Sequence, residues 1–356
     1  MKKILCVVLV GILLLTAFTS CNDAADDPAQ TAETTAAATT AATPEATTAV
    51  TTETTAATTT AATTAATTEA PPTLQGGSTS DFEYKENSNG GITLEKYIGN
   101  DTDVVIPQTI NGKPVTMIGG WCFSRKFDLR SVTIPDSVTI ISSCAFSQCT
   151  NLETVKLPSN LERLVSGVFE GSGITEISFP LTLKRVGYRT FADCKNLKEI
   201  FIPKGVIFEE EVFAYAGLEK ITFEEGVEVI AQAMFFGTPI KEVVLPQSVK
   251  TIGNSAFADC ANLESIVLNE GLITIDTYAF GGTSKLKEII IPKTVVNMNE
   301  DAFYSCETME RVKFEGNAPA DYVSGLPQMP NYTVYYHEGA EGFTSPEWCG
   351  YPTELW

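Results

Sequence analysis

Imidazole is almost absent from this chain: its 356 residues carry one histidine, His337. A single histidine excludes multi-histidine zinc sites and leaves a Ser-His-Asp or Cys-His nucleophile without support. No glycine-rich phosphate loop, Cys-x-x-Cys pair or EF-hand spacing occurs. Carboxylates are plentiful, but they fall into repeating columns, which is how solvated scaffold positions behave and not how a two-carboxylate glycosidase pair is built. The chain is therefore read as no enzyme, with no catalytic residue, no cofactor and no metal ligand. Basic residues are also scarce, 24 against 44 acidic ones, for a net charge of −20. That field repels nucleic acid and anionic headgroups, so no nucleic-acid partner is expected.

Also missing is any apolar run long enough to span a bilayer. The longest, Ile4–Phe18 behind Lys2 and Lys3, has the length of an export signal's core. It ends Phe18-Thr19-Ser20-Cys21, small residues before a cysteine with polar sequence at once behind. The junction resembles a bacterial lipobox, although Phe18 departs from the usual aliphatic residue. Residues 1–20 are read as a lipoprotein signal peptide and Cys21 as the lipidation site, which makes the mature chain an exported, lipid-anchored surface protein. Two or more acyl chains anchor stably where one is marginal. From Cys21 to about residue 80 the chain is mainly Thr and Ala, without Lys, Arg or an aromatic ring. Such a segment cannot offset chain entropy by burial and is expected to be a disordered stalk. At full polyproline-like extension it would reach ~180 Å.

What the second part does have is a period. Phe123, Phe146, Phe169, Phe191, Phe213, Phe235, Phe257, Phe280 and Phe303 recur 22 or 23 residues apart. A fixed period of this size is the mark of a solenoid, whose turns bury their apolar faces only against neighbouring turns. One turn reads Phe146-x-x-Cys149-x-x-Leu152-x-x-Val155-x-Leu157-Pro158-x-x-Leu161-x-x-Leu164. The Val-x-Leu core has period two, so each turn carries a short strand with two side chains inward, and the proline behind it ends the strand. Second apolar pairs, such as Val138 with Ile141 and Val249 with Ile252, mark a return segment on the opposite wall. Stacked strands form a parallel sheet with rungs roughly 5 Å apart.

This pattern, with its closing pairs Ala145-Phe146, Ala256-Phe257, Ala279-Phe280 and Ala302-Phe303, resembles the leucine-rich repeat of the BspA-like type found on bacterial surface proteins. The likeness covers about residues 92–356 and is specific for fold. It implies surface exposure and binding, and names no partner. The expected layout is an N-terminal cap at 81–118, repeats of 22–23 residues at 119–316 and a C-terminal cap at 317–356. Two turns depart from the pattern and are one residue short: that at Phe169, with Ser172-Gly173-Ile174, and that at Phe235, with Pro239-Ile240. Cys149, Cys194, Cys260 and Cys306 hold one repeat slot, two or more rungs apart and beyond bridging reach, so they read as small buried thiols. A bridge among Cys122, Cys144 and Cys349 is left open.

Three outward columns flank the strand. The first, from Lys198 through Glu219, Lys241, Glu264, Lys287 and Glu310, alternates in sign and reads as a register device. The third places Phe201, Val244, Val267 and Ile290 where a plain spacer would be solvated. Together with Glu199, Glu242 and Glu288 of the middle column they form the candidate partner-binding surface, an apolar strip rimmed by charge. The glutamates are expected to steer a partner with basic flanks, in a salt-dependent way. Aromatic residues Tyr332, Tyr335, Tyr336, Trp348, Tyr351 and Trp356 read chiefly as capping material. The expected function is binding of a protein or glycan, as in adhesion. The alternatives are a passive structural spacer or shield, or the non-catalytic binding component of a surface polysaccharide-degrading system. Lipidation is directly testable: Cys21→Ala should move the protein from the detergent phase to the aqueous phase or leave it unprocessed. A wild type that never enters the detergent phase excludes the anchor.

Overall fold

The computed structural model describes residues 77–320 and 332–356. The segment read as signal, Cys21 and all but the last residues of the expected stalk lie outside the described residues. The fold is a mostly β solenoid in which each turn presents three walls. The front wall carries the strand of the repeat: residues Ser131–Thr133, Thr154–Lys156, Glu199–Ile202, Lys220–Phe223, Glu242–Val244, Ser265–Val267, Glu288–Ile291 and Arg311–Phe314. Their pairings are parallel and in register, such as Val244 opposite Val267 and Ile290 opposite Lys313. The return wall is a second parallel ladder of two-residue strands, from Ile140–Ile141 to Asn297–Met298. Between strands the chain turns through the proline, whose carbonyl accepts from the amide three residues on, as in Pro158 and Leu161 at 3.1 Å.

The third wall holds the phenylalanines. Their rings stack face to face along the axis, with centroids 4.9–5.9 Å apart and planes within 17° of parallel. All nine are buried. Burial of one such ring stabilises by about 1.5–3 kcal/mol, and each stacked pair adds ~0.5–1.5 kcal/mol. Aiming the ring inward requires an unusual backbone. The residues two before and two after the phenylalanines sit in the left-handed region, Asp301 before Phe303 excepted, among them Cys144 and Gln148, Arg189 and Asp193, and Ser255 and Asp259, with φ of 52–59°. Each such residue costs about 1 kcal/mol or more. Backbone bonds to the next turn hold them there: Cys144, Phe146 and Gln148 donate to Ser166, Val168 and Glu170 at 2.7–2.9 Å.

The cysteine slot has a physical reason. Cys149, Cys194, Cys260 and Cys306 donate their thiols to the carbonyls of Phe123, Phe169, Phe235 and Phe280 in the preceding turn, at 3.0–3.2 Å. Ser172, Thr238 and Thr283 fill the same slot in other turns and touch the next thiol at 3.2–3.6 Å. Burial pushes the thiols of Cys149, Cys194 and Cys260 up to about 12. No bridge joins Cys122, Cys144 and Cys349 to one another.

Three turns, not two, are shortened in the link after the phenylalanine, and a fourth, that at Phe191, is a residue short in its return segment. The turn at Phe213 uses Ala216-Gly217-Leu218. At Gly173 and Gly217 the shortened link runs against the previous turn, where a Cβ would lie 2.2 Å from the Thr150 carbonyl and 1.9 Å from that of Lys195. Only glycine fits there. Beyond Gly173 the front ladder is interrupted: residues 174–178 form no strand. Phe179 stands where most other turns place Leu or Ile, edge-on to Phe191 and Phe208 at 5.9 and 5.7 Å. On the loop wall, beside this gap, the buried Arg189 ties three turns together. Its guanidinium meets Glu170 at 2.9 Å, Glu211 at 2.8 Å and Asp193 at 3.1 Å. Burial alone would favour the neutral form, but Glu170 and Glu211 outweigh it and hold the group protonated.

Both ends are closed by added strands. At the N-terminal end Phe82–Glu86 and Ile92–Tyr97 form an antiparallel hairpin, and Tyr97 extends the ring stack onto Phe123 at 5.0 Å. At the C-terminal end Thr333–Tyr336 and Tyr351–Leu355 continue the front sheet in parallel. Tyr332, Trp348 and Tyr351 are buried, with Tyr332 stacked on Tyr351 at 4.1 Å.

Phe213→Ala should cost ~3–5 kcal/mol, as a large cavity does, and should destabilise the neighbouring turns as well. A loss below about 1 kcal/mol in chemical denaturation would exclude a core role. Arg189→Met should cost ~3–5 kcal/mol by taking the guanidinium away from the buried Glu170. A buried carboxylate that has lost its cation is disfavoured only while charged, so the deficit should shrink as pH falls through the carboxylate range. A deficit independent of pH would show that the cluster acts by packing alone.

Candidate functional site

The strand alternation decides which side chains leave the front wall. In Glu199–Ile202 the pattern is exposed, buried, exposed, buried, so Ile200 and Ile202 enter the core while Glu199 and Phe201 face out. The same alternation puts Val244 and Val267 outward, flanking the buried Val243 and Ile266. Phe201 is 51% exposed, Val244 67%, Val267 56% and Ile290 41%. All four sequence-predicted apolar residues are thus solvent-facing, and the C-terminal cap does not fold over them. Val244, Val267 and Ile290 lie on successive turns, whereas Phe201 is separated from Val244 by Thr222 of the intervening strand. Beyond Ile290 the column continues into Lys313 and Tyr335.

The return wall also exposes apolar side chains, Ile207, Val229, Ile273 and Val296. There they come at most in pairs: Ile207 is next to Arg185, Val229 is next to Thr251, and Val296 donates its amide to the Ile273 carbonyl at 3.1 Å. The front wall alone shows three in a row among the described residues.

The charged rim is less available than its sequence implies. Glu199 is bound by Lys220 at 3.3 Å. Glu288 is held by Arg311 and by Lys313 at 3.0 Å. The Arg311 and Lys313 hydrogen bonds keep the Glu288 carboxyl below the usual glutamate value. Among the described residues only Glu242 of the three takes part in no ion pair. In the alternating column, Lys198–Glu219 and Lys287–Glu310 form at 3.2 and 3.4 Å, while Glu264 turns aside to Lys285 at 3.7 Å. These pairs are exposed and each contributes a few tenths of a kcal/mol at most. Neutralisation within the wall, invisible without knowing which rotamers meet, makes the surface a nearly uncharged apolar strip bounded by ion pairs.

The C-terminal aromatics are engaged with one another. The Trp356 ring stacks on His337 at 4.8 Å, with the Lys313 ammonium 4.9 Å above it. Tyr336 stacks on Phe343 at 4.8 Å. The lone histidine thus has a packing role, with Nδ1 3.1 Å from the Trp356 carbonyl.

Comparison with known proteins agrees with this architecture. A leucine-rich repeat protein from Bacteroides ovatus is 25% identical, with a TM-score of 0.64, over 78% of this chain and 75% of that chain. A leucine rich cell surface protein from Faecalibacterium prausnitzii is 21% identical, with a TM-score of 0.45, over 77% and 96% of the two chains. The pneumococcal vaccine antigen PcpA is 20% identical, with a TM-score of 0.43, over 72% and 86%. The likeness of fold rests on the first. Among curated proteins the chain has no match. The family profile described as BspA type Leucine rich repeat region, in six copies, matches residues 116–239 and 228–320. That is more than half of the sequence, and the chain belongs to the BspA-type leucine-rich repeat family.

Proposed function

We propose that this solenoid is a surface-displayed recognition scaffold, tethered through Cys21, that binds a protein or glycan partner on its front wall. The observation that carries the reading is the exposure of Phe201, Val244, Val267 and Ile290 on a wall whose charges otherwise neutralise one another. Exposed apolar area costs solubility and invites association, so an unbroken run of it over Val244, Val267 and Ile290 marks a contact surface. The neighbouring ion pairs set the partner's chemistry. With Glu199 and Glu288 already bound to cations, the strip favours an apolar, largely uncharged partner over a strongly basic one. Display at the cell surface, away from the membrane on the Thr- and Ala-rich segment, belongs to the same reading.

A glycan array and a pull-down from host or neighbouring-cell extracts identify the partner class. Changing Phe201 and Val267 together to Ser should leave the melting temperature nearly unchanged, because both side chains are exposed. The same change should weaken attachment at least tenfold, or roughly 1.4 kcal/mol. Salt should alter the association rate only slightly, since few free charges remain to steer. A folded double variant that binds undiminished removes the front wall from consideration.

A further inference from the structure

The loop wall repeats one heptapeptide almost unchanged: Phe191-Ala-Asp193-Cys-Lys195-Asn-Leu197 and Phe257-Ala-Asp259-Cys-Ala261-Asn-Leu263. The single difference is Lys195 against Ala261. In the first copy the lysine ammonium is held in place. Its Nζ lies 3.0 Å from Asp193 and 5.5 Å from the centre of the Tyr215 ring, which comes from the same slot of the next turn. The Nζ also donates to the Tyr215 carbonyl at 2.5 Å, and carboxylate, carbonyl and ring together make a receptor for an ammonium group.

In the second copy the carboxylate is retained and the ammonium is not, and Ser255 stands where Arg189, which also meets Asp193 at 3.1 Å, stands in the first. Asp259 takes part in no ion pair or side-chain hydrogen bond among the described residues. Although it is exposed, its surroundings desolvate it enough to raise its carboxyl above the ordinary aspartate value. The slot that Tyr215 fills beside Asp193 is here Gly282, and a Cβ on that glycine would lie 2.3 Å from Asp259 Oδ1. The floor is small and buried, formed by Ala258 and Gly281. Two edge-to-face ring pairs flank it, Tyr215 with Phe236 at 5.2 Å and Tyr278 with Tyr304 at 5.6 Å. Backbone bonds set this order: Gly237 donates to Ala258, Asp259 to Gly281 and Gly282 to Tyr304, at 2.7–2.8 Å. Tyr215 is near enough that burial, reinforced by the Asp259 charge, pushes its phenol up to about 12.

We propose that Asp259, between Phe236 and Tyr278, binds a primary ammonium group supplied from outside the chain, in the role that Lys195 plays for Asp193. The net charge of −20 raises the local concentration of such cations. The group comes either from a lysine side chain on a partner or from a free alkylamine. This site lies on a different wall from the front strip and stands independently of it.

The test titrates the full chain, labelled with 15N at glycine, and follows the amides of Gly281 and Gly282. The probes are N-acetyl-lysine methylamide, its uncharged analogue N-acetyl-norleucine methylamide, putrescine and methyl β-glucoside. The lysine derivative should shift both amides saturably and the norleucine derivative should not. Tighter binding of the lysine derivative than of putrescine assigns the group to a partner's side chain; the reverse assigns it to a free amine. Asp259→Asn should weaken binding at least tenfold while keeping the fold, because Asn tolerates left-handed backbone as Asp does. Ala261→Lys should occupy the site from within and abolish binding of either amine. Glu307→Gln, which removes an exposed carboxylate elsewhere, should change nothing. The proposal fails if the amines give no saturable shift, if norleucine or the glucoside binds as well as the lysine derivative, or if either Asp259→Asn or Ala261→Lys binds like the wild type.

Discussion

A flat ring delivered once per turn to the same axial line, about 5.5 Å from its neighbour, is the constraint to which the other walls adjust. At eight of the nine phenylalanines the residues two before and two after the ring adopt left-handed backbone. Those residues stay there only while their amides bond to the next turn. The loop wall is therefore both the most strained part of each turn and the part most dependent on its neighbours, so no turn is stable alone. The front wall answers to a looser requirement. It breaks at residues 174–178 without disturbing the stack, since Phe169 and Phe191 remain 5.5 Å apart. Variation is thus tolerated on the wall that offers a contact surface, while the ring stack stays regular.

Period and core were legible because both depend on side-chain type. Phenylalanine, the Val-x-Leu strand and the slot filled by Cys, Ser or Thr announce themselves in one dimension. The outward direction of Phe201, Val244, Val267 and Ile290 followed from strand alternation alone. The left-handed pairs were not legible, because residues as unlike as Trp121, Arg125, Ser255 and Tyr278 occupy them. What selects that conformation is the ladder to the next turn, a tertiary interaction that leaves no mark on composition. The short turn at Gly217 was missed for a related reason: Ala216 and Leu218 preserve the hydrophobic pattern and hide the deletion. Nothing in the sequence singles out Arg189, whose burial depends on Glu170 and Glu211, 19 and 22 residues away. Glu199 and Glu288 read as free rim charges because their partners lie a full turn along the chain.

A repeat makes such contacts unusually informative. Every slot is sampled several times in nearly the same surroundings, so a difference at one rung can be weighed against the others. The front and loop walls use this freedom in opposite ways. On the front wall most charges are answered by a charge on the adjacent rung, and the apolar column is left as the distinguishing feature. On the loop wall one carboxylate has its answering cation in the chain and another does not.

The buried thiols carry a consequence for how the chain matures. Burial pushes the thiols of Cys149, Cys194 and Cys260 up to about 12, well above a free cysteine's usual value, and so suppresses the thiolate. Oxidants and metals act on the thiolate, so chemical attack on these positions is confined to the time before their turns close. Closure joins residues only a turn apart in sequence, a low-contact-order process that proceeds quickly. Rapid coiling is then the chain's own antioxidant, and any variant that slows closure of a turn exposes its cysteine to damage long before it measurably lowers equilibrium stability.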